Sequence, residues 1–159
     1  MAAIDYIAGE VTKLVRKTGT RDPYRICKEL DIRIRYKDMG TDIKAFYFYH
    51  SRIRNIVVNS RISRPVQRIL VAHELGHDRL HKDIALSKGF QELELFDSVL
   101  PTEYEANVFA AELLIEDSDI LELLNDDSKS FFGVASELRV PAALLDFKSE
   151  IIPRFSISA

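Results

Sequence analysis

Apolar residues at Ile4, Ile7, Val11, Leu14 and Val15 recur at the spacing of one helix face, and Gly19 ends the pattern. Asp22-Pro23 then joins a capping residue to a proline at the first helical position, which predicts a short second helix to about Leu30. Here the period changes. Ile32, Ile34 and Tyr36 alternate with Arg33, Arg35 and Lys37, as in a half-buried strand, and Gly40 marks a turn. Residues 44–50 are rich in aromatic side chains and residues 53–59 in β-branched ones; the Ser51-Arg52 link between them predicts a hairpin. A small antiparallel sheet is therefore expected before residue 60.

The helical period returns after Ser63 or Arg64 with Pro65, at Val66, Ile69, Leu70, His73, His77 and Leu80. Residues 83–100 have mixed polarity and read as a connecting segment. Pro101-Thr102 opens a second strong helix running to Leu114. Short helices follow at about 118–125, about 130–138, and from Pro141 to about 150, with a loose tail over 153–159. No repeat or low-complexity tract interrupts the chain. The expectation is one α+β domain over residues 1–152, its helical C-terminal part spanning about 117–152.

Composition narrows the class. The 159 residues are 47% hydrophobic and 30% charged with a net charge of −3, and they show no electrostatic footprint for nucleic acid. Cys27 is the single cysteine, which excludes an internal disulfide and a cysteine-rich zinc ribbon. Neither a signal peptide nor an apolar run long enough to span a bilayer is present, so a cytoplasmic protein is expected.

The chemistry concentrates at residues 73–77, His-Glu-Leu-Gly-His. Positions i and i+4 share a helix face, so His73 and His77 can grip one metal ion, and Glu74 stands where a carboxylate can take a proton from a metal-bound water. Both histidines continue the apolar stripe of their helix. A buried polar group without a partner costs ~2–7 kcal/mol by transfer measurements, and zinc supplies the partner. Gly76 costs about 1 kcal/mol relative to alanine within a helix, which points to a close approach by another backbone there.

A catalytic zinc takes three protein ligands and a water, so a third ligand is needed. His81 lies about 12 Å along a straight helix from His73, too far to share an ion with both histidines; it reads as a helix-end residue or as a hydrogen-bonding partner of a ligand. Glu103 and Glu105 are the remaining candidates. Thr102 and Glu105 have the spacing of a capping box. Glu103 and Asn107 form an i, i+4 pair that can present a carboxylate to a metal and an amide to one of the histidines. Ala106, Ala110 and Ala111 are small enough to let this helix approach the Gly76 side of the motif helix.

Together these segments, His-Glu-Leu-Gly-His-x-x-x-His and a later Glu-x-x-Ala-Asn-x-Phe-Ala-Ala-x-Leu-Leu, resemble the ImmA/IrrE family of bacterial metallopeptidases over roughly residues 22–115. The resemblance implies a compact zincin-like fold of the gluzincin type, zinc held by His73, His77 and Glu103, and Glu74 as general base. It also implies a protein partner: a helix-turn-helix repressor of a mobile element, prophage or stress regulon, cleaved to release its target genes. Sites of this His/His/Glu type also accept manganese or iron. Two departures stand out. Ile115-Glu116 occupies the place where the family often has proline, and residues 115–159 are too few for the sensor domain of IrrE-type members, so the short ImmA-like anti-repressors match better.

Other features carry less. Tyr47, Tyr49 and Tyr104 are candidate donors to an oxyanion, against a plainer role packing with their hydroxyls at the surface. An exposed edge of the 44–59 hairpin can hold an extended substrate by strand addition. Arg33, Arg35, Lys37, Arg52 and Arg54 read as solvated strand faces, or else as a docking surface. Residues 131–144 resemble a helix-turn-helix, but the second helix lacks the positive charge to meet phosphates, so direct nucleic-acid binding is not expected. The competing functional reading is a zinc-stabilised protein that sequesters a repressor without cutting it.

Overall fold

The computed structural model describes residues 2–83, 90–92 and 100–149. Helix α1 (Ala2–Thr18) and α2 (Pro23–Glu29) lead into strands β1 (Ile32–Lys37), β2 (Ala45–His50) and β3 (Ile53–Asn59). The motif helix α3 (Arg64–Leu80) follows, then β4 (Phe90–Glu92), α4 (Pro101–Leu114), α5 (Asp117–Leu124), α6 (Phe131–Leu138) and α7 (Ala142–Ser149). Local chemistry accounts for most boundaries. Asp22 accepts a hydrogen bond from the Tyr24 amide at 3.0 Å ahead of Pro23, as an N-cap should. Ser63 holds the N-cap position of α3, with Arg64-Pro65 opening the helix.

The α+β class expected from the sequence is the one observed, but the sheet is mixed rather than antiparallel. Its order is β1-β3-β2-β4. β2 and β3 form the expected hairpin, and β3 then inserts beside β1 in parallel, with Ile34 opposite Ile56. The reason is geometric: β1 and β3 run the same way because the chain reverses once before β2 and once after it. β4 falls within the segment read as a connection, and pairs with β2 at Ala45, Phe46 and Tyr47. The rest of that segment, 84–89 and 93–99, and the tail 153–159 lie outside the described residues. Among the described residues neither hairpin strand is an edge along its whole length: β3 is flanked on both sides, and β2 pairs with β4 at Ala45–Tyr47. Tyr36, expected on the buried face of β1, is 52% exposed near the end of that edge strand.

The core lies where α3 meets the sheet and the other helices. Ile26, Tyr47, Ile56, Leu70, Leu75, Phe109 and Leu113 are all buried there. α3 is buried on more than one face, from Ile69 to Asp78, because it packs on β2 and β3 as well as on α4. α1 and α7 pack against α4 in turn. Cys27 is fully buried in this core, and its thiol is pushed up to about 12 by burial and then by the charge of Asp78. No helix among the described residues is long and apolar enough to cross a membrane.

The hairpin turn carries strain. Ser51 and Arg52 have φ of 51° and 64°, the left-handed pair that a two-residue type I′ turn needs and that asparagine and glycine adopt most cheaply. Replacing them together, Ser51→Asn with Arg52→Gly, is expected to raise the unfolding free energy by ~1 kcal/mol, read from urea denaturation of both proteins.

Candidate metal centre

Helix periodicity places His73 and His77 one turn apart on the face of α3 that meets α4, and Glu103 comes from the first turn of α4. His73 Nε2 lies 3.1 Å from Glu103 Oε1, and His77 Nε2 lies 2.9 Å from Glu103 Oε2. One ligand atom from each residue falls within 4.8 Å of the other two. Both imidazoles are buried, while Glu103 keeps 12% of its side chain exposed. Two imidazole nitrogens and a carboxylate converging in this way form a donor set suited to a divalent metal ion.

The other ring nitrogens fix which way the imidazoles face. Asn107 Oδ1 lies 2.8 Å from His73 Nδ1 and accepts from it in the Nδ1-protonated tautomer, the one that would present the Nε2 lone pair to a metal ion beside Glu103. His77 Nδ1 lies 3.0 Å from His81 Nδ1, and His81 Nε2 lies 2.8 Å from Glu105 Oε1. This chain closes with neutral rings: His77 donates to His81, and His81 donates to Glu105. Burial lowers the pKa of His81, against the opposing pull of its hydrogen bond to Glu105. His81 is the C-cap residue of α3, its amide bonded to the His77 carbonyl, as its place at the helix end suggested.

Glu105 therefore does not build a capping box. Leu100 is the N-cap of α4 and Pro101 the first helical residue, which puts Thr102 inside the helix where it cannot cap it. The neighbour at Gly76 also differs from expectation. A Cβ there would meet Phe109 side-chain atoms at 3.1–3.2 Å, so a ring stem, not a backbone, approaches. Ala106, Ala110 and Ala111 are fully buried in the same helix. Glu74 is buried beside the cluster, its Oε1 3.9 Å from His77 Nε2.

Comparison with known proteins gives this arrangement a context. The peptidase M78 family model, described as an IrrE N-terminal-like domain, matches residues 27–150. The chain belongs to this family. It is similar to a protein named uncharacterized immunity region protein 2 from Bacillus phage phi105, with 34% identity over 137 residues, covering 83% of this chain and 85% of that one. It is also similar to metallopeptidase ImmA of Bacillus subtilis strain 168, with 27% identity over 153 residues, covering 94% and 88%. The ImmA/IrrE resemblance expected from the two-part motif thus stands.

Sequence reasoning missed a second network on the sheet side of the M78 motif helix. Asp78 is fully buried and accepts a hydrogen bond from the Tyr47 hydroxyl at 2.5 Å. Arg54 Nη1 reaches the same carboxylate at 3.1 and 3.3 Å, while its Nη2 donates to the Leu30 carbonyl that ends α2. Two expectations fall here. Tyr47 spends its hydroxyl on Asp78 instead of on a substrate, and Arg54 is paired inward instead of solvated. Tyr104 packs edge-on against Phe147, and Tyr49 stays partly exposed. The legible signal was a polar row, Gln67, Glu74 and Asp78, at helical spacing on a second face of α3.

The departure at Ile115-Glu116 also finds its place. Ile115 is buried as the C-cap of α4, and Glu116 is the N-cap of α5, 3.3 Å from the Arg21 side chain. Arg21 caps α4 from outside by donating to the Glu112 and Leu113 carbonyls. Asp78→Asn removes one partner of a buried ion pair and is expected to cost about 3 kcal/mol of stability. Tyr47→Phe should cost about 1 kcal/mol, both measured by chemical denaturation.

Proposed function

We propose that the chain is a zinc-dependent endopeptidase that hydrolyses a peptide bond in a helix-turn-helix repressor, acting as an anti-repressor. The observation that carries this reading is the convergence of the His73 and His77 Nε2 atoms on the Glu103 carboxylate, with both Nδ1 atoms committed elsewhere. His73, His77 and Glu103 would hold the ion, and the chemistry it would supply there is that of a Lewis acid, acidifying a water and polarising the scissile carbonyl. Glu74 accepts the proton of the attacking water and returns it to the leaving amide nitrogen. Asn107 and the His81–Glu105 pair hold the two imidazoles in the tautomer and orientation that ligation requires.

The repressor as substrate is supported by the names of the two relatives, one an immunity region protein of a phage and the other a metallopeptidase. The short strand β4, last in the order of the described sheet, offers backbone groups to an extended chain.

Glu74→Gln is expected to keep the fold and the bound metal while lowering the cleavage rate by roughly 10²–10⁴-fold, followed by incubating the metal-loaded protein with purified helix-turn-helix repressors. Release of the repressor's target promoter by that variant, without cleavage, would replace this reading with sequestration. Asn107→Ala frees His73 to turn and is expected to weaken metal affinity about 10–100-fold, measured by competition with a chromogenic chelator.

A further inference from the structure

At the C-terminal end of α3, away from the metal centre's side chains, a concave pocket of about 540 Å³ is bounded by Lys17, Arg52, Arg54, Arg79 and Lys82, with Tyr49 in its wall. These cations arrive from the end of α1, the hairpin turn, β3 and the end of α3. Among the described residues no carboxylate lines the pocket, in a chain whose net charge is −3. Asp78, fully buried, takes two of them, at 3.1 Å from Arg54 and 3.5 Å from Arg79. Lys17, Arg52 and Lys82 have no ion-pair partner among the described residues.

Gathering like charges opposes folding unless a counter-charge arrives. Cations are welcome near helix C-termini, which accounts for Lys17 and Arg79. It does not account for Arg52, which sits on a strand turn at φ 64°, where glycine would cost less. The chain accepts backbone strain at Arg52, and that residue borders both this pocket and a second one of about 460 Å³ that Lys28, Arg33 and Asp31 also line.

We propose that this pocket binds a small anion carrying two or more phosphate groups, of the nucleoside di- or triphosphate class. The volume is that of a small-molecule site. Guanidinium groups match phosphate oxygens with paired donors, and several cations converging on one concavity suit a compact polyanion better than an extended acidic chain. The partly exposed ring of Tyr49 offers a face to a base. None of His73, Glu74, His77 or Glu103 lines this pocket, so the inference does not rest on the peptidase reading.

The test is calorimetric titration of the metal-loaded protein with tripolyphosphate, ATP, a poly-glutamate peptide and a DNA duplex, at low and at physiological ionic strength. Saturable binding of tripolyphosphate or ATP at one site is expected, weakening with salt; tighter binding of ATP would assign the base to Tyr49. Arg52→Gly and Lys82→Ala should each weaken it at least about tenfold. Because glycine relieves the turn, Arg52→Gly should unfold at the same or a higher urea concentration than the parent, which separates lost binding from lost structure. Absence of saturable phosphate binding, unchanged affinity in both variants, or tighter binding of the peptide or the duplex would overturn the proposal.

Discussion

The distance between α3 and α4 governs the chemistry of this protein, and Gly76 against Phe109 sets it. A Cβ at residue 76 would stand 3.1 Å from Phe109 Cβ, tighter than ordinary van der Waals contact. Without a side chain there, α4 comes close enough for Glu103 to reach both imidazoles and for Asn107 to reach His73. The helix-propensity cost of glycine, about 1 kcal/mol, is small beside what the contact positions. The buried alanines of α4 serve the same approach from the other side.

Closeness alone does not fix rotation or register. α3 is held on its opposite face by Asp78, which binds Tyr47 of β2 and Arg54 of β3. Arg54 also takes the last carbonyl of α2, so one buried carboxylate ties the motif helix to the sheet and to α2. α4 is secured separately. Arg21 covers carbonyls at its C-terminal end, and buried Lys148 of α7 pairs with Glu112 of α4 at 2.8 Å and with Asp117 of α5. Buried ion pairs are seldom worth much net stability. Here their directional bonds orient the two helices that carry the proposed ligands.

The same economy appears at the centre. Glu103 and Glu105 are two residues apart on one helix, roughly 200° around its axis, yet both serve the cluster. Glu103 faces His73 and His77 directly, and Glu105 reaches His77 through His81. His81 can do this because it caps α3 at φ −130°, outside helical geometry, which lets its ring fold back toward the preceding turn.

Local physics made much of this legible from the chain alone. The capped start of α2, the hairpin over residues 45–59, the periods of α3 and α4 and the facing of His73 and His77 all depend on neighbours within a turn or two. So did the distance of His81 along the helix from His73 and the placing of Glu103 and Asn107 along one face. What tertiary structure alone decided involves partners distant in sequence. The parallel insertion of β3 beside β1 depends on which side of the hairpin the first strand docks, and alternation of side chains is blind to that. Arg54 and Asp78 each look like ordinary surface charges until the sheet and the helix are brought together. Glu105 had a local role as a capping residue, and lost it because Pro101 started the helix one residue before Thr102 and left that carboxylate to His81. Spacing along a helix is written in the chain; the partner across a core is chosen only when the surfaces meet.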